Sequence, residues 1–125
     1  MNSDVCALVV EDDPALRRMV ATYLKAMGIL AIEAPDGRTA LRELDGKVPD
    51  VICLDLMLPE LSGYDLCEHI RRVPKLRDVP VLIMSARAFP EDRAAAEEVG
   101  ASAYLTKPFT RAQFAGHIDA LLRRS

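Results

Sequence analysis

Only three cysteines, Cys6, Cys53 and Cys67, occur in the 125 residues, and none is spaced as CxxC. An odd count without a pattern supplies no disulfide framework and reads as buried thiols in a reducing compartment. No apolar run approaches the roughly 18 residues of a membrane span. The opening Met1-Asn2-Ser3-Asp4 lacks the basic start and apolar stretch of a secretory signal, so a cytoplasmic location is expected. Positive charge is not in surplus. Lys and Arg number 16 against 19 Asp and Glu, a net charge of −3, which argues against direct nucleic-acid binding. No Gly-rich loop follows the first apolar run, so a nucleotide or flavin phosphate has no cradle. No repeat, low-complexity tract or linker divides the chain. Residues 1–125 are expected to form one domain, within the usual range of about 100–200 residues. What is present is apolar residue: 50% of the chain, enough to bury a core without disulfides or structural metal.

Five apolar runs alternate with five helix-like segments. Cys6–Val10 is wholly apolar, as a strand buried on both faces should be. Asp13-Pro14 then starts a helix, with Asp13 as N-cap and Pro14 in the first turn. Leu16, Met19, Val20, Tyr23, Leu24 and Met27 form its apolar face, and Gly28 its stop. Leu30–Ala34 suits an edge strand. Asp36-Gly37 with Ala40, Leu41 and Leu44 marks a short second helix. Val51–Leu54 is the most apolar strand and ends at Asp55. Ser62 opens a third helix carrying Leu66, Ile70 and Val73. Val81–Met84 is a fourth buried strand, ending at Ser85. The fourth helix runs from Pro90 to Val99 and stops at Gly100. Its apolar face is mostly alanine, which predicts the weakest anchoring of the five. Ala103–Thr106 is the fifth strand, before Lys107-Pro108. The last helix carries Phe114, Ile118, Leu121 and Leu122. Arg123 and Arg124 complement its dipole. This alternation predicts parallel βαβ units, an α/β doubly wound sheet with helices on both faces. Ligands in such sheets bind at the carboxyl ends of the strands.

Those ends carry the chemistry. The first strand ends in Glu11-Asp12-Asp13, the third in Asp55, the fourth in Ser85 and the fifth in Thr106-Lys107. Neighbouring strands lie about 4.7–4.9 Å apart, so three or four carboxylates would share one pocket. Like charges that close need a counter-charge. A divalent cation is one answer, and Mg²⁺ suits a site offering one or two carboxylates and phosphate oxygens. Lys107 is another. An ionised Asp can accept a phosphoryl group as an aspartyl phosphate. Metal, lysine and the Ser85 hydroxyl would stabilise charge on the phosphoryl oxygens. Each residue alone has an ordinary reading: Asp13 a helix cap, Asp55 a loop residue, Ser85 a turn residue, Lys107 solvated. Together at four strand ends they point to a site. His69 and His117 lie on different helices without ligand partners, and the cysteines read as core.

The stretches Val9-Val10-Glu11-Asp12-Asp13, Leu54-Asp55-Leu56-Met57-Leu58-Pro59, Gly63, Ser85-Ala86 and Lys107-Pro108-Phe109 follow in this order. With them the chain resembles the receiver domain of bacterial two-component response regulators over nearly its whole length. The resemblance implies a flavodoxin-like five-stranded sheet of order 2-1-3-4-5. It also implies roles. Asp55 is the phosphoacceptor, and Lys107 binds phosphate, with a cis peptide before Pro108. Asp12, Asp55 and the Met57 backbone carbonyl hold Mg²⁺, and the longer Glu11 reaches the ion through water. Ser85 is the switch hydroxyl and Tyr104 the switch aromatic. Met57, Ala86 and Arg87 neighbour the phosphate. Neither Met57 nor Arg87 is an acid or amide suited to activating water, so fast self-dephosphorylation is not favoured.

The function so implied is a phosphorylation-activated switch. A histidine kinase or phosphotransfer protein donates to Asp55. The face formed by helix 4, strand 5 and helix 5 then changes its preference for a downstream protein or effector domain, with homodimerisation on phosphorylation a further option. The protein assists its own phosphorylation and dephosphorylation but turns over no foreign substrate. Two other classes of function compete with it. One is a receiver-like interaction module that is not phosphorylated, disfavoured because every core position is occupied. The other is an Asp-nucleophile phosphatase, which would carry a second Asp two residues after the first, where Met57 stands. No effector domain follows Ser125, so the chain resembles a single-domain regulator, or equally a receiver cut from a longer one.

Overall fold

Every residue of Cys6–Val10, Val51–Asp55 and Val81–Ser85 is buried, as expected of strands covered on both faces. The computed structural model describes residues 5–123. The segments form β1 (Cys6–Val10), β3 (Val51–Asp55) and β4 (Val81–Ser85), flanked by β2 (Leu30–Ala34) and β5 (Ala103–Thr106). All pairings are parallel, in the order β2-β1-β3-β4-β5. The expected order is therefore the observed one. The helices between strands are α1 (Pro14–Ala26), α2 (Gly37–Gly46), α3 (Gly63–Arg72), α4 (Pro90–Glu98) and α5 (Arg111–Leu122).

Side chains alternate across a strand, so each strand feeds two cores. Leu8, Val10, Ile52, Leu54 and Ile83 point to one face, against Leu44 of α2, Leu66 and Ile70 of α3, and Ala96 of α4. Ala7, Val9, Cys53, Leu82 and Met84 point to the other, against Val20 and Leu24 of α1 and Phe114 and Ile118 of α5. The three cysteines are buried and unpaired. Burial pushes the Cys53 thiol up to about 12, so it is an inert core group at neutral pH.

Local chemistry sets the helix starts. Asp13 accepts from the Ala15 N–H, Asp36 from Thr39, and Ser62 from Asp65. Thr110 and Gln113 of α5 form a reciprocal capping box. Two endings differ from expectation. α3 stops at Arg72, with Val73 extended, because a residue before proline is driven out of the helical region; Pro74–Leu76 then forms a 3-10 turn. α4 stops at Glu98, Val99 serving as its C-cap, and Gly100 has a φ of 99°. Arg71 ties these ends together, donating to the carbonyls of Gly100, Arg77 and Val79. On α1 the core-facing residues are Val20, Ala21 and Leu24; Leu16, Met19, Tyr23 and Met27 are half-buried. Arg123 is the C-cap of α5, and Arg124 lies outside the described residues. Among the described residues no helix is long and apolar enough to cross a membrane.

Candidate phosphorylation site

Register places the polar strand ends side by side. Asp55 is opposite Met84 on β4, and Ser85 opposite Thr106 on β5. The pairing of Val10 with Leu54 sets Glu11 and Asp12 next to Asp55. One carboxylate oxygen from each of Glu11, Asp12 and Asp55 lies within 4.8 Å of the others. Glu11 and Asp55 are buried and Asp12 is exposed. The Lys107 ammonium donates to Glu11 Oε1 at 2.9 Å and lies 3.4 Å from Asp55 Oδ2. The peptide between Lys107 and Pro108 is cis, as the resemblance implies.

Charge explains how this cluster is held. Three carboxylates face one ammonium, which leaves two negative charges for a divalent cation to balance. Burial pushes the Glu11 carboxyl above its ordinary value, against the pull of Lys107. Burial pulls the Lys107 ammonium down, but its hydrogen bond to Glu11 and the charges of Asp55 and Glu11 outweigh it, so Lys107 rises. Lys107 therefore stays charged at neutral pH, and its stabilisation is lost only above its ordinary value of 10.5. For Glu11 the sign is opposite. The folded state binds its proton more tightly than the unfolded one, so ionisation costs stability as pH rises past 4.5. In metal-free protein, Glu11→Gln should gain stability relative to wild type as pH rises from about 4 to 7. Urea midpoints in excess EDTA check this; a difference, variant minus wild type, that stays level or falls with rising pH refutes it.

The donor set fits a metal in part. Both Glu11 oxygens are occupied, Oε1 by Lys107 and Oε2 by the Asp13 N–H at 3.1 Å. Asp12 makes no hydrogen bond or ion pair among the described residues and faces solvent, free to ligate. Asp55 Oδ1 accepts from the Met57 N–H at 3.2 Å. Asp13, by contrast, is the α1 cap. Ser85 is fully buried, and its Oγ accepts from the Arg87 N–H at 3.1 Å. Tyr104 is half-buried, its hydroxyl donating to the Arg87 carbonyl at 2.8 Å, with the Arg93 guanidinium 4.9 Å from its ring centre. Met57, Ala86 and Arg87 are exposed around the pocket.

Three supports were not read from sequence. Arg17 donates to the Glu11 carbonyl at 2.8 Å and to Glu33, fixing the end of β1 against α1 and β2. Asp92 is a buried carboxylate on α4. Gly63 begins α3 where a Cβ would sit 2.4 Å from the Asp55 carbonyl oxygen and 2.6 Å from Leu56 Cα. Its position among the family landmarks was the only signal. Both obstacles are backbone, so Gly63→Ala must push α3 off the Asp55 loop. The expected loss is about 1–3 kcal/mol, read by denaturant unfolding. An unchanged midpoint overturns it.

A response regulator receiver domain model matches residues 7–119. The chain belongs to this family. It is a receiver domain, the phosphorylation-responsive module of two-component signalling. It is 41% identical over 117 residues to the phosphate regulon transcriptional regulatory protein PhoB of Escherichia coli, covering 94% of this chain and 51% of that protein. The chain thus spans about half the length of such curated relatives. Among solved structures, a putative response regulator from Chloroflexus aurantiacus superimposes with a TM-score of 0.93 at 30% identity, over 98% of this chain and 100% of that one. The chemotaxis protein CheY4 of Vibrio cholerae gives 0.92 at 28% identity, over 96% and 100%.

Proposed function

We propose that Asp55 accepts a phosphoryl group from a histidine kinase or phosphotransfer protein, and that residues 1–125 act as one cytoplasmic receiver domain. The observation that carries this reading is the clustering of Glu11, Asp12 and Asp55, with the Lys107 ammonium on Glu11 and Asp55. An Asp55 carboxylate oxygen attacks phosphorus, a P–O bond forms, and the P–N bond to the donor imidazole breaks with its electrons on nitrogen. Asp12, Asp55 and the Met57 carbonyl would hold Mg²⁺, with Glu11 acting through water. The ion would supply charge neutralisation on the transferring group. Lys107 balances charge on another phosphoryl oxygen, and the Ser85 hydroxyl donates to a third. The chain acts on itself in this and turns over no foreign substrate.

The donor approaches a groove of about 500 Å³ beside Lys107, lined by Leu16, Met19, Pro108 and Phe109. Its apolar walls suit one face of a donor helix. The output is a change in affinity at α4, β5 and α5 for an effector domain, a downstream protein or a second copy. The relative PhoB is named as a transcriptional regulator, which supports an effector in gene regulation. With acetyl phosphate and Mg²⁺, intact mass should increase by one phosphoryl group and revert after hydroxylamine. No increase refutes the reading.

A further inference from the structure

We propose that Arg87 is a positioning strut that carries the state of Ser85 to α4 through its ion pair with Asp92. This rests on the phosphorylation reading above and assigns its route. Three contacts meet at Arg87. Its N–H donates to Ser85 Oγ at 3.1 Å, its carbonyl accepts from the Tyr104 hydroxyl at 2.8 Å, and its Nε donates to Asp92 Oδ1 at 2.9 Å. One residue thereby joins the ends of β4 and β5 to the first turn of α4.

An exposed ion pair would carry little. This one is asymmetric: the Arg87 side chain is 52% exposed, that of Asp92 only 7%. Asp92 and Ala96 are the only buried residues of α4. The helix therefore has almost no apolar anchor, and a carboxylate stands where its inward face begins. A buried charge is costly unless paired, and Asp92 Oδ2 has no hydrogen-bond partner among the described residues. Arg87 supplies the single strong contact of that carboxylate. Among the described residues the N-terminus of α4 has no other tether of this kind, because its N-cap is Phe89, which makes no side-chain cap and is 66% exposed. The Tyr64 hydroxyl reaches the Asp92 carbonyl only at 3.5 Å, at the limit of a hydrogen bond.

The geometry at Ser85 makes the strut useful. Because Oγ accepts from the Arg87 N–H, the hydroxyl proton is free to be donated elsewhere. Ser85 can bind a phosphoryl oxygen without releasing Arg87. A shift of Ser85 toward Asp55 then draws the Arg87 main chain with it, and the guanidinium takes Asp92 along. Arg93 gives α4 a separate tie to β5, through Tyr104 and Thr106, so a cut at Arg87 uncouples the helix without freeing it.

Amide shift mapping tests this on the 125-residue chain with Mg²⁺, each protein titrated to saturation with beryllofluoride as judged by shifts around Asp55. In Asp92→Ala and Arg87→Met, the shift changes of amides 91–98 should fall at least twofold below wild type. Arg87→Lys, which keeps a cation for Asp92, should restore them. The double variant should lose no more than either single one. Asp92→Ala removes a poorly satisfied buried charge and keeps a good helix former, so it tests the strut even if another variant misfolds. Wild-type α4 changes in both single variants, or additive losses in the double, overturn the strut and leave the phosphoacceptor reading standing. A wild type whose pocket responds while α4 is silent does the same. A wild type silent at Asp55 itself overturns both.

Discussion

Asp55→Asn should abolish phosphoryl transfer to this chain and leave its fold intact. Asp55 lies at the end of the central strand, 5% exposed, with one oxygen near Lys107 and the other on the Met57 N–H. Asparagine keeps the size and the acceptor oxygen for Met57 but has no nucleophilic carboxylate. Removing one of three clustered negative charges also relieves repulsion. Intact mass after acetyl phosphate and Mg²⁺ should then match the untreated protein, while thermal unfolding is as wild type or higher. Label that persists on another residue of Asp55→Asn sinks the assignment.

Asp12→Ala should lose Mg²⁺ binding and phosphorylation together. Among the described residues, Asp12 is the carboxylate of the cluster that no cation or backbone N–H engages, so it can ligate without competing with a protein contact. Its exposure limits the cost of its loss, and in EDTA the variant should be as stable as wild type or more so. Wild type should gain stability from added Mg²⁺, by mass action on the folded state, and the variant should not. Calorimetric titration with Mg²⁺ gives the direct measure; an affinity equal to wild type refutes the ligand role.

Much of this was legible from residue order. Runs such as Val51–Leu54 are too short and too apolar for anything but a doubly covered strand, and a carboxylate immediately after one has to emerge at the carboxyl edge of the sheet. That logic placed Glu11, Asp12, Asp55, Ser85 and Lys107 together. Alternation of strands and helices fixed parallel pairing but not strand order, which came from the resemblance. Val73 shows a different limit: apolar spacing extended α3 by one residue, and the backbone restriction imposed by Pro74 ended it sooner. Asp92 was hidden because an acid in a Glu- and Ala-rich helix reads as solvated. Its burial depends on α4 turning that side toward Arg87, which no local pattern records. The close approach at Gly63 is likewise a property of two backbones distant in sequence.

The two-sided sheet has a mechanical consequence. α4 and Tyr104 belong to the core on one face, whereas α1 and α5 lean on the core of the other. Between them stand β1, β3 and β4, buried along their whole length and close-packed, a stiff partition of low compressibility that passes strain on rather than absorbing it. β4 feeds both cores, Ile83 on the α4 side and Met84 on the α5 side, so a displacement at its end is felt on both faces. The molecule is in this sense a lever with one fulcrum: α4 and α5, which lie on opposite faces, answer to the same strand end.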